Sequence, residues 1–245
     1  LSSSSCKETS VTLSGKSGTL YYTGLAAGSA LITARTESGA TATLRVMVIE
    51  KPITKITCTY TDVILLKGAS SRMRTEVKPT STDEYLTYES SDTKVATVDV
   101  YGNITAVGTG TATITAQSTI NKAKATCTVT VLKKGQTIVK GDCTYKVNKD
   151  STLSLYRVNR SLSKLTVPST VKISWNSYKV TKISSSAAKG KTSITKVTIG
   201  SNITKIGKKA FAGCSSLKKV TFKTKKLKTI DKKAFSTIKK GATFK

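Results

Sequence analysis

Residues 90–116 read SSDTKVATVDVYGNITAVGTGTATITA, and their pattern decides the fold class. Apolar and β-branched residues alternate with polar ones at residues 95–98 and again at residues 111–116. Between these stretches stand the turn-forming residues Gly102 and Gly108. Alternation with a period of two, broken by glycine turns, predicts short antiparallel strands with one face toward a core. The sequence therefore predicts an all-β protein.

This stretch belongs to a repeat of about 80 residues, the length of one small β-sandwich. Residues 28–34, GSALITA, match residues 110–116, GTATITA, at an offset of 82. Leu1 already falls opposite the middle of the second copy, so the first copy has no counterpart for the first three strands. Because half a sandwich cannot close its core, residues 1–50 are expected to be the C-terminal part of a domain. Either the chain is a fragment, or the missing strands come from elsewhere.

Residues 90–116 closely resemble bacterial immunoglobulin-like domains of group 2, and the resemblance covers roughly residues 53–131. It implies a β-sandwich of the kind that forms stalks in bacterial adhesins and surface enzymes, usually with no site of its own. We therefore expect residues 51–132 to form a complete immunoglobulin-like domain.

The same resemblance bears on two of the five cysteines. Immunoglobulin-like folds place the opening and last strands side by side, and these strands carry Cys58 and Cys127. A disulfide between them is expected, closing a long loop that contributes about 4 kcal/mol in the chain-entropy model. Two buried thiols are the alternative. Cys214 is expected to be a small core residue, while Cys6 and Cys143 are undecided.

A second repeat, of 23 or 24 residues, occupies the C-terminal part. Its period is set by three matching stretches, at residues 180–183, 203–206 and 227–230. Five residues after each stretch stands a core candidate: Ala188, Phe211 or Phe235. Residues 194–199, ITKVTI, also match residues 217–222, LKKVTF. A period of roughly 20 to 29 residues with this pattern indicates leucine-rich repeats.

Residues 203–220, ITKIGKKAFAGCSSLKKV, look like the BspA-like leucine-rich repeats of bacterial surface proteins. The resemblance covers roughly residues 165–245 and implies a surface or secreted adhesion module without a shared ligand. Residues 133–164 begin with KKGQ and then alternate, which predicts a hinge or linker followed by a capping hairpin. A solenoid needs such a cap because its first repeat would otherwise expose an apolar face. The expected architecture is immunoglobulin-like sandwiches followed by a short, capped solenoid.

The net charge of +28 is concentrated in the solenoid. Residues 1–131 carry 13 Lys and Arg against 10 Asp and Glu, a net of +3. Residues 132–245 carry 28 against 3, a net of +25, and 26 of these cations are lysine. Many such charge runs are only solvated faces, but these lysines repeat in register. Equivalent positions on stacked strands lie about 4.7 to 4.9 Å apart, where like charges repel.

An anionic polymer would screen these lysine ladders, so the module is expected to bind one. The predicted ligand-binding residues are Lys182, Lys196, Lys205, Lys218, Lys219 and Lys228. Candidate partners are cell-wall teichoic acid, an acidic glycan or a host surface protein. Nucleic acid is disfavoured, because Trp175 and Tyr178 precede the first full repeat and the phenylalanines follow the core pattern.

No catalytic chemistry is expected. The chain contains no histidine, which removes the Ser-His and Cys-His nucleophile pairs. Its cysteines lack CxxC spacing, so neither a metal nor another cofactor is predicted. The acidic residues Asp83, Glu84, Glu89 and Asp92 are interpreted as surface carboxylates in loops of the sandwich.

The sequence therefore predicts a non-catalytic adhesion or binding protein, secreted or on the surface of a Gram-positive bacterium. One alternative is an accessory, targeting region of a larger surface enzyme such as a cell-wall or glycan hydrolase. A purely structural role, with lysines serving solubility, is another. No apolar run approaches the roughly 18 residues of a transmembrane helix. No signal-peptide pattern opens the sequence, so any export signal is expected upstream or already removed.

Overall fold

The computed structural model describes residues 11–12, 28–36, 38–49 and 51–245. Among these residues every regular element is a strand and none is a helix, which confirms the all-β prediction. They divide into two compact units. The first contains the chain up to Thr59 together with Arg74–Tyr88 and Thr115–Thr126, and the second contains Tyr60–Met73, Glu89–Ile114 and Cys127–Lys245.

The first strands form a small three-stranded sheet. They are β1 (Val11–Thr12), β2 (Gly28–Arg35) and β3 (Thr41–Val48). Strands β2 and β3 pair antiparallel along their whole length, and β1 adds in parallel at the end of β2. Leu31 is 58% exposed and Leu44 is 51% exposed, whereas Cys127, the counterpart of Leu44 in the second copy, is 0% exposed. Among the described residues, this strand pattern thus encloses a buried core in the second copy, whereas β2 and β3 leave Leu31 and Leu44 exposed.

The second copy folds into a sandwich of short strands. They are β4 (Lys55–Cys58), β5 (Asp62–Leu66), β6 (Ser70–Arg72), β7 (Thr75–Lys78), β8 (Leu86–Ser90), β9 (Ala96–Val98), β10 (Asn103–Ala106), β11 (Gly110–Ser118) and β12 (Lys124–Leu132). Their sheets have the orders β5-β12-β11-β8, β6-β10-β9 and β4-β7. Alternate residues of β11 and β12 are buried, among them Ile114 and Val129, because the period of two places them on one face.

One carboxylate of the sandwich is buried, and its prediction as a surface group is wrong. Glu84 accepts hydrogen bonds from the backbone N–H of Ile53 at 2.7 Å and from the hydroxyls of Ser118 at 2.6 Å and Thr119 at 3.0 Å. Burial raises the pKa of Glu84, but these donors outweigh it and the net pKa is lowered. A buried carboxylate is tolerated here because its oxygens are fully hydrogen-bonded.

Residues after the sandwich form an antiparallel cap of β13 (Thr137–Lys140), β14 (Cys143–Val147) and β15 (Leu153–Val158). The structure departs from the predicted hinge here, because the sandwich contacts both the cap and the solenoid within the second compact unit. The edge strand β5 donates the N–H of Ile64 to Ser174 Oγ at 2.9 Å and the N–H of Leu66 to Tyr178 Oη at 3.2 Å. Leu66 also belongs to the hydrophobic core of the cap. The bonds to Ser174 and Tyr178 satisfy strand-edge donors of β5 and join it to the solenoid. The cap itself is held by Ser151 Oγ, which donates to the carbonyl oxygen of Lys67 at 2.9 Å.

The solenoid consists of two mainly parallel sheets built from eight strands. They are β16 (Lys164–Val167), β17 (Thr170–Ile173), β18 (Asn176–Ile183), β19 (Lys196–Ile199), β20 (Lys205–Ile206), β21 (Lys219–Phe222), β22 (Thr229–Ile230) and β23 (Thr243–Phe244). The first sheet continues from the cap as β15-β18-β20-β22, with β17 paired to β18 as a hairpin. The second sheet has the order β16-β19-β21-β23.

The repeat pattern packs the core between these sheets. Phe211 is fully buried and stacks on Phe235 with ring centroids 5.0 Å apart. Gly207 lies where a Cβ would come within 2.6 Å of the backbone nitrogen of Ser185, so a side chain there would force neighbouring turns apart. Ala188 is buried at the equivalent position of the preceding repeat. The predicted core positions Ala188 and Phe211 are confirmed, whereas Phe235 is half-buried. Phe244, also assigned to the core pattern, is 48% exposed, so that assignment is wrong.

Candidate functional site

The site predicted from sequence is a set of lysines on the solenoid. All six side chains, Lys182, Lys196, Lys205, Lys218, Lys219 and Lys228, are exposed. The predicted register also holds: Lys182 pairs with Lys205 across parallel strands, and Lys196 pairs with Lys219. The two pairs lie on different sheets. The structure therefore separates the predicted set into two lysine ladders.

The first ladder is Lys182 and Lys205 on β18 and β20, continued by Thr229 on β22. Its lysines are partly neutralised by acids of the same module. Lys205 Nζ lies 3.4 Å from a carboxylate oxygen of Asp231. Burial raises the pKa of Asp150, but a hydrogen bond from Thr152 and the positive charge of Lys182 outweigh it, so the pKa is lowered. Lys205 thus forms an ion pair with a carboxylate, and Lys182 is near enough to Asp150 to help lower the pKa of that carboxyl.

Hydroxyl groups beside the first ladder are also engaged. Thr204 Oγ1 donates to the carbonyl oxygen of Thr181 at 3.0 Å. The hydroxyls of Thr152 and Thr181 lie 2.9 Å apart and share a hydrogen bond. Lys228, which follows Thr181 and Thr204 in the repeat alignment, is the next member of this column. Thr181 and Thr204 therefore bond to neighbouring strands of the first sheet. The second sheet has an equivalent bond, from Thr195 Oγ1 to the carbonyl oxygen of Ser163 at 2.9 Å.

The second ladder is Lys164, Lys196 and Lys219 on β16, β19 and β21, continued by Thr243 on β23. Lys164 was missed by sequence reasoning, although Lys164-Leu-Thr-Val repeats the form of Lys196-Val-Thr-Ile. The repeat period did not reveal Lys164, because the β17–β18 hairpin lengthens the interval between Lys164 and Lys196 to 32 residues. The interval between Lys196 and Lys219 is 23 residues. Lys218 directly precedes Lys219 and adds one more exposed cation.

The second ladder makes no ion pair with any described residue. Residues 132–245 contain three acids: Asp150 and Asp231 serve the first ladder, and Asp142 pairs with Arg160 at 3.5 Å. Two positions after each lysine stands a threonine, Thr166, Thr198 or Thr221. Their hydroxyls form no hydrogen bond with the part of the chain that the structure describes. Ammonium and hydroxyl groups on this face are thus available to an external ligand.

Cysteines and metal-binding groups offer little chemistry. Cys214 is a fully buried thiol that donates to the carbonyl oxygen of Ala188 at 3.2 Å, as its core prediction requires. Cys143 is a buried thiol too, and burial raises the pKa of both, which keeps them protonated. Cys6 lies outside the described residues. Within those residues, no group of three or more His, Cys, Asp and Glu side chains could hold a metal ion.

Cys58 and Cys127 do not lie on adjacent strands, contrary to what the disulfide prediction expected. Cys127 is buried in β12, whose parallel neighbour is β5, whereas Cys58 is half-buried in β4, which pairs with β7. The two cysteines therefore do not stand on neighbouring strands of one sheet. The disulfide itself stays a prediction, and mass spectrometry of an unreduced digest from oxidised protein tests it.

The architecture and its repeats define a class of modular bacterial protein. The family of group 2 bacterial immunoglobulin-like domains matches residues 52–129. The family of BspA type leucine rich repeat regions matches residues 156–244, with six copies. The chain therefore carries a group 2 bacterial immunoglobulin-like domain followed by a BspA-type leucine-rich-repeat region. Across the described residues, no helix long and apolar enough to cross a membrane is found.

Individual similar proteins match only parts of the chain. The lacto-N-biosidase of Bifidobacterium bifidum is 42% identical over 72 residues, which are 29% of this chain and 6% of that protein. A leucine rich cell surface protein from Faecalibacterium prausnitzii is 26% identical, with a TM-score of 0.39, over 43% of this chain and 30% of that one. A leucine-rich repeat protein from Bacteroides ovatus is 23% identical, with a TM-score of 0.34, over 44% and 36%. The chain spans a minor part of the length of each.

Proposed function

We propose that this chain is part of a non-catalytic bacterial adhesion or binding protein, secreted or displayed on the surface of a Gram-positive cell. In this proposal the sandwich domain is a spacer and the basic solenoid is the contact surface for an anionic polymer. The single observation that carries the proposal is the alignment of exposed lysines in ladders on a module with a net charge of +25.

The predominance of lysine favours a polymer held by its charge density. Lysine presents a compact, strongly hydrated charge on a flexible stem, whereas arginine is preferred for bidentate recognition of a fixed group. Cell-wall teichoic acid and acidic glycans suit such a surface because their charges repeat along a flexible chain. A host surface protein is the other partner to be tested.

A binding titration with the whole chain tests this proposal. Purified poly(glycerol phosphate) teichoic acid, heparin and poly-L-glutamate are the probes, and affinity is measured from low salt to above about 0.15 M, where screening reaches roughly 8 Å. We expect weak to moderate binding that falls steeply as salt rises, because counterions are released on association. If none of the three binds even at low salt, the lysines serve solubility and the structural role stands instead.

The similarity to lacto-N-biosidase favours a second candidate function. The same region could be an accessory, targeting part of a larger surface enzyme, such as a glycan or cell-wall hydrolase. The flanking gene sequence distinguishes the two. An adjoining catalytic domain supports the accessory role, whereas further sandwiches with a signal peptide and a wall anchor support display.

Both candidates predict that this chain has no enzymatic activity of its own. Its sequence lacks histidine, and its two identified families are typically non-catalytic surface modules. Incubation with a panel of glycosides, peptides and esters is expected to give no turnover. Reproducible turnover that copurifies with the protein would overturn the expectation.

A further inference from the structure

We infer that the second ladder, and not the first, is the binding site for a linear polyanion, which lies across the strands of the second sheet. The inference rests on the proposed function and assigns it to one face. It depends on three differences between the ladders: their acidic neighbours, their hydroxyl groups and their length.

Acidic neighbours weaken the first ladder as an anion site. A polyanion approaching Lys205 must compete with Asp231, whose carboxylate lies 3.4 Å from the ammonium group, and one approaching Lys182 meets the charge of Asp150. Among the described residues, Lys196 and Lys219 have no such competitor. Each external anion therefore gains more net attraction on the second face.

Hydroxyl groups distinguish the two faces in the same direction. Two positions after the lysines of the first ladder stand Ser184 and Gly207 rather than threonines. The threonines directly before those lysines, Thr181 and Thr204, are bonded to neighbouring repeats, as Thr195 is on the second face. Beside the second, the hydroxyls of Thr166, Thr198 and Thr221 have no partner among the described residues. A threonine column thus runs parallel to the lysine column and can donate to or accept from the oxygens of a polyol phosphate or a glycan.

The last strand of the second sheet also contributes a lysine to the charged surface, but at a different position along the strand. Where the earlier strands read Lys-x-Thr, the final strand reads Thr243-Phe-Lys245, so the cation moves into the threonine column. Lys245 is exposed, and its backbone N–H donates to the carbonyl oxygen of Val220 at 2.9 Å, which places it beside the preceding strand. Each of the four strands of the second sheet therefore brings one lysine to this surface.

The length of the ladder selects an extended ligand. Strand spacing of about 4.8 Å separates Lys164 from Lys219 by roughly 10 Å, farther than one phosphate or sulfate group reaches. Several anionic groups on one chain can engage successive rungs, and the flexible lysine stems adjust to their spacing. Binding also screens the repulsion between Lys164, Lys196 and Lys219. The ligand class is therefore a linear polyol phosphate or an acidic glycan.

Two double variants of the full chain test the inference. Lys196→Gln with Lys219→Gln removes two charges from the second ladder, and Lys182→Gln with Lys205→Gln removes the same number from the first. With poly(glycerol phosphate) teichoic acid at low salt, we expect the first double variant to raise Kd by roughly tenfold or more, since a lysine near an anionic surface contributes about 1 kcal/mol. We expect the second to raise Kd less than about threefold. Fluorescence of Trp175, the single tryptophan, checks that both are folded.

The outcomes separate the two proposals. Unequal loss in the expected order supports the inference, and heparin in a parallel titration shows whether sulfated glycans share the site with phosphates. Equal loss in both variants overturns it while leaving the proposed function, because net charge alone would then explain binding. Absence of binding to the unmodified chain overturns both. Tighter binding of single-stranded oligodeoxythymidylate at the same lysines would overturn the assigned ligand class.

Discussion

The two lysine ladders of the solenoid contain nearly the same residue types, but the side chains around them differ. On the first, Lys205 pairs with Asp231, and Ser184 and Gly207 stand two residues after the ladder lysines. On the second, Lys196 and Lys219 face no described acid, and the hydroxyls of Thr198 and Thr221, two residues after them, form no hydrogen bond with the described residues. The position of a lysine in the repeat determines where it lies on the solenoid. The three acids of residues 132–245 determine which of these lysines remain available to an external anion.

Position in the repeat explains where the acids lie. Asp231 follows the last isoleucine of its repeat, at a place occupied by Ser184 and Gly207 in the two preceding repeats. Asp150 comes from the turn between β14 and β15 of the cap. Both acids are near lysines of the first ladder, since Asp231 pairs with Lys205 and Lys182 lowers the pKa of Asp150. The second sheet has no acid at its corresponding turns in residues 132–245.

The largest expected effect is a loss of stability when a core side chain between the two sheets of the solenoid is truncated. Phe211→Ala deletes a fully buried ring and should lower the free energy of unfolding by about 3 to 5 kcal/mol. Urea denaturation followed by circular dichroism measures it. Phe235→Ala is the matched control and should cost less, because that ring is half-buried. A loss below about 1 kcal/mol for Phe211→Ala would contradict the packing described for the solenoid.

The next largest effect is a loss of affinity expected on substitution of Lys164, the member of the second ladder that the repeat period did not reveal. Lys164→Gln should raise Kd for teichoic acid severalfold, since its ammonium group is in register with Lys196. Lys228→Gln, beside the first ladder, is the control with the same charge change. Surface plasmon resonance at low salt compares them. An equal or larger effect of Lys228→Gln would show that the ligand does not follow the second ladder.

A smaller effect is expected when the acid paired with the first ladder is neutralised, because its lysines then lack that competitor, as those of the second ladder do. Asp231→Asn releases Lys205 from its ion pair and should tighten polyanion binding by roughly two- to threefold, in line with the modest value of an exposed pair. Asp142→Asn gives the same charge change at a pair with Arg160, away from the aligned lysines. Comparison of the two affinities isolates the local contribution. If both variants gain equally, only net charge matters.

The smallest effects concern stability and should have opposite signs. Lys205→Gln loses an ion pair and should lower the free energy of unfolding by a few tenths of a kcal/mol. Lys196→Gln removes repulsion from Lys164 and Lys219 and should raise it by a similar amount. Denaturation at low and high salt measures both, because screening should shrink each difference. Two changes of the same sign would mean that the ladders do not differ electrostatically.

Sequence periodicity predicted the features that depend on local pattern. The alternation of residues 111–116 and the spacing of Phe211 and Phe235 follow from strand geometry and stacking, so they could be found without coordinates. Features made by distant residues could not. Glu84 looked like a surface carboxylate because its donors Ile53 and Ser118 come from remote parts of the chain.

The junction and the site show the same limit. A basic, glycine-containing segment predicted a hinge, but the edge of β5 is bonded to Ser174 and Tyr178, more than 100 residues later. The six lysines were correctly placed on the surface, yet no sequence pattern shows that Asp231 lies beside Lys205. Charge register is a local property of a repeat. Charge neutralisation is a property of the folded module.

Lysine footprinting tests the central claim most directly. The folded chain is acetylated briefly with and without poly(glycerol phosphate) teichoic acid at low salt, and the modified sites are quantified by mass spectrometry. We predict that the polymer protects Lys164, Lys196 and Lys219 strongly while Lys182 and Lys205 change little. Uniform protection of all five lysines, or preferential protection of Lys182 and Lys205, would contradict the assignment of binding to the second ladder.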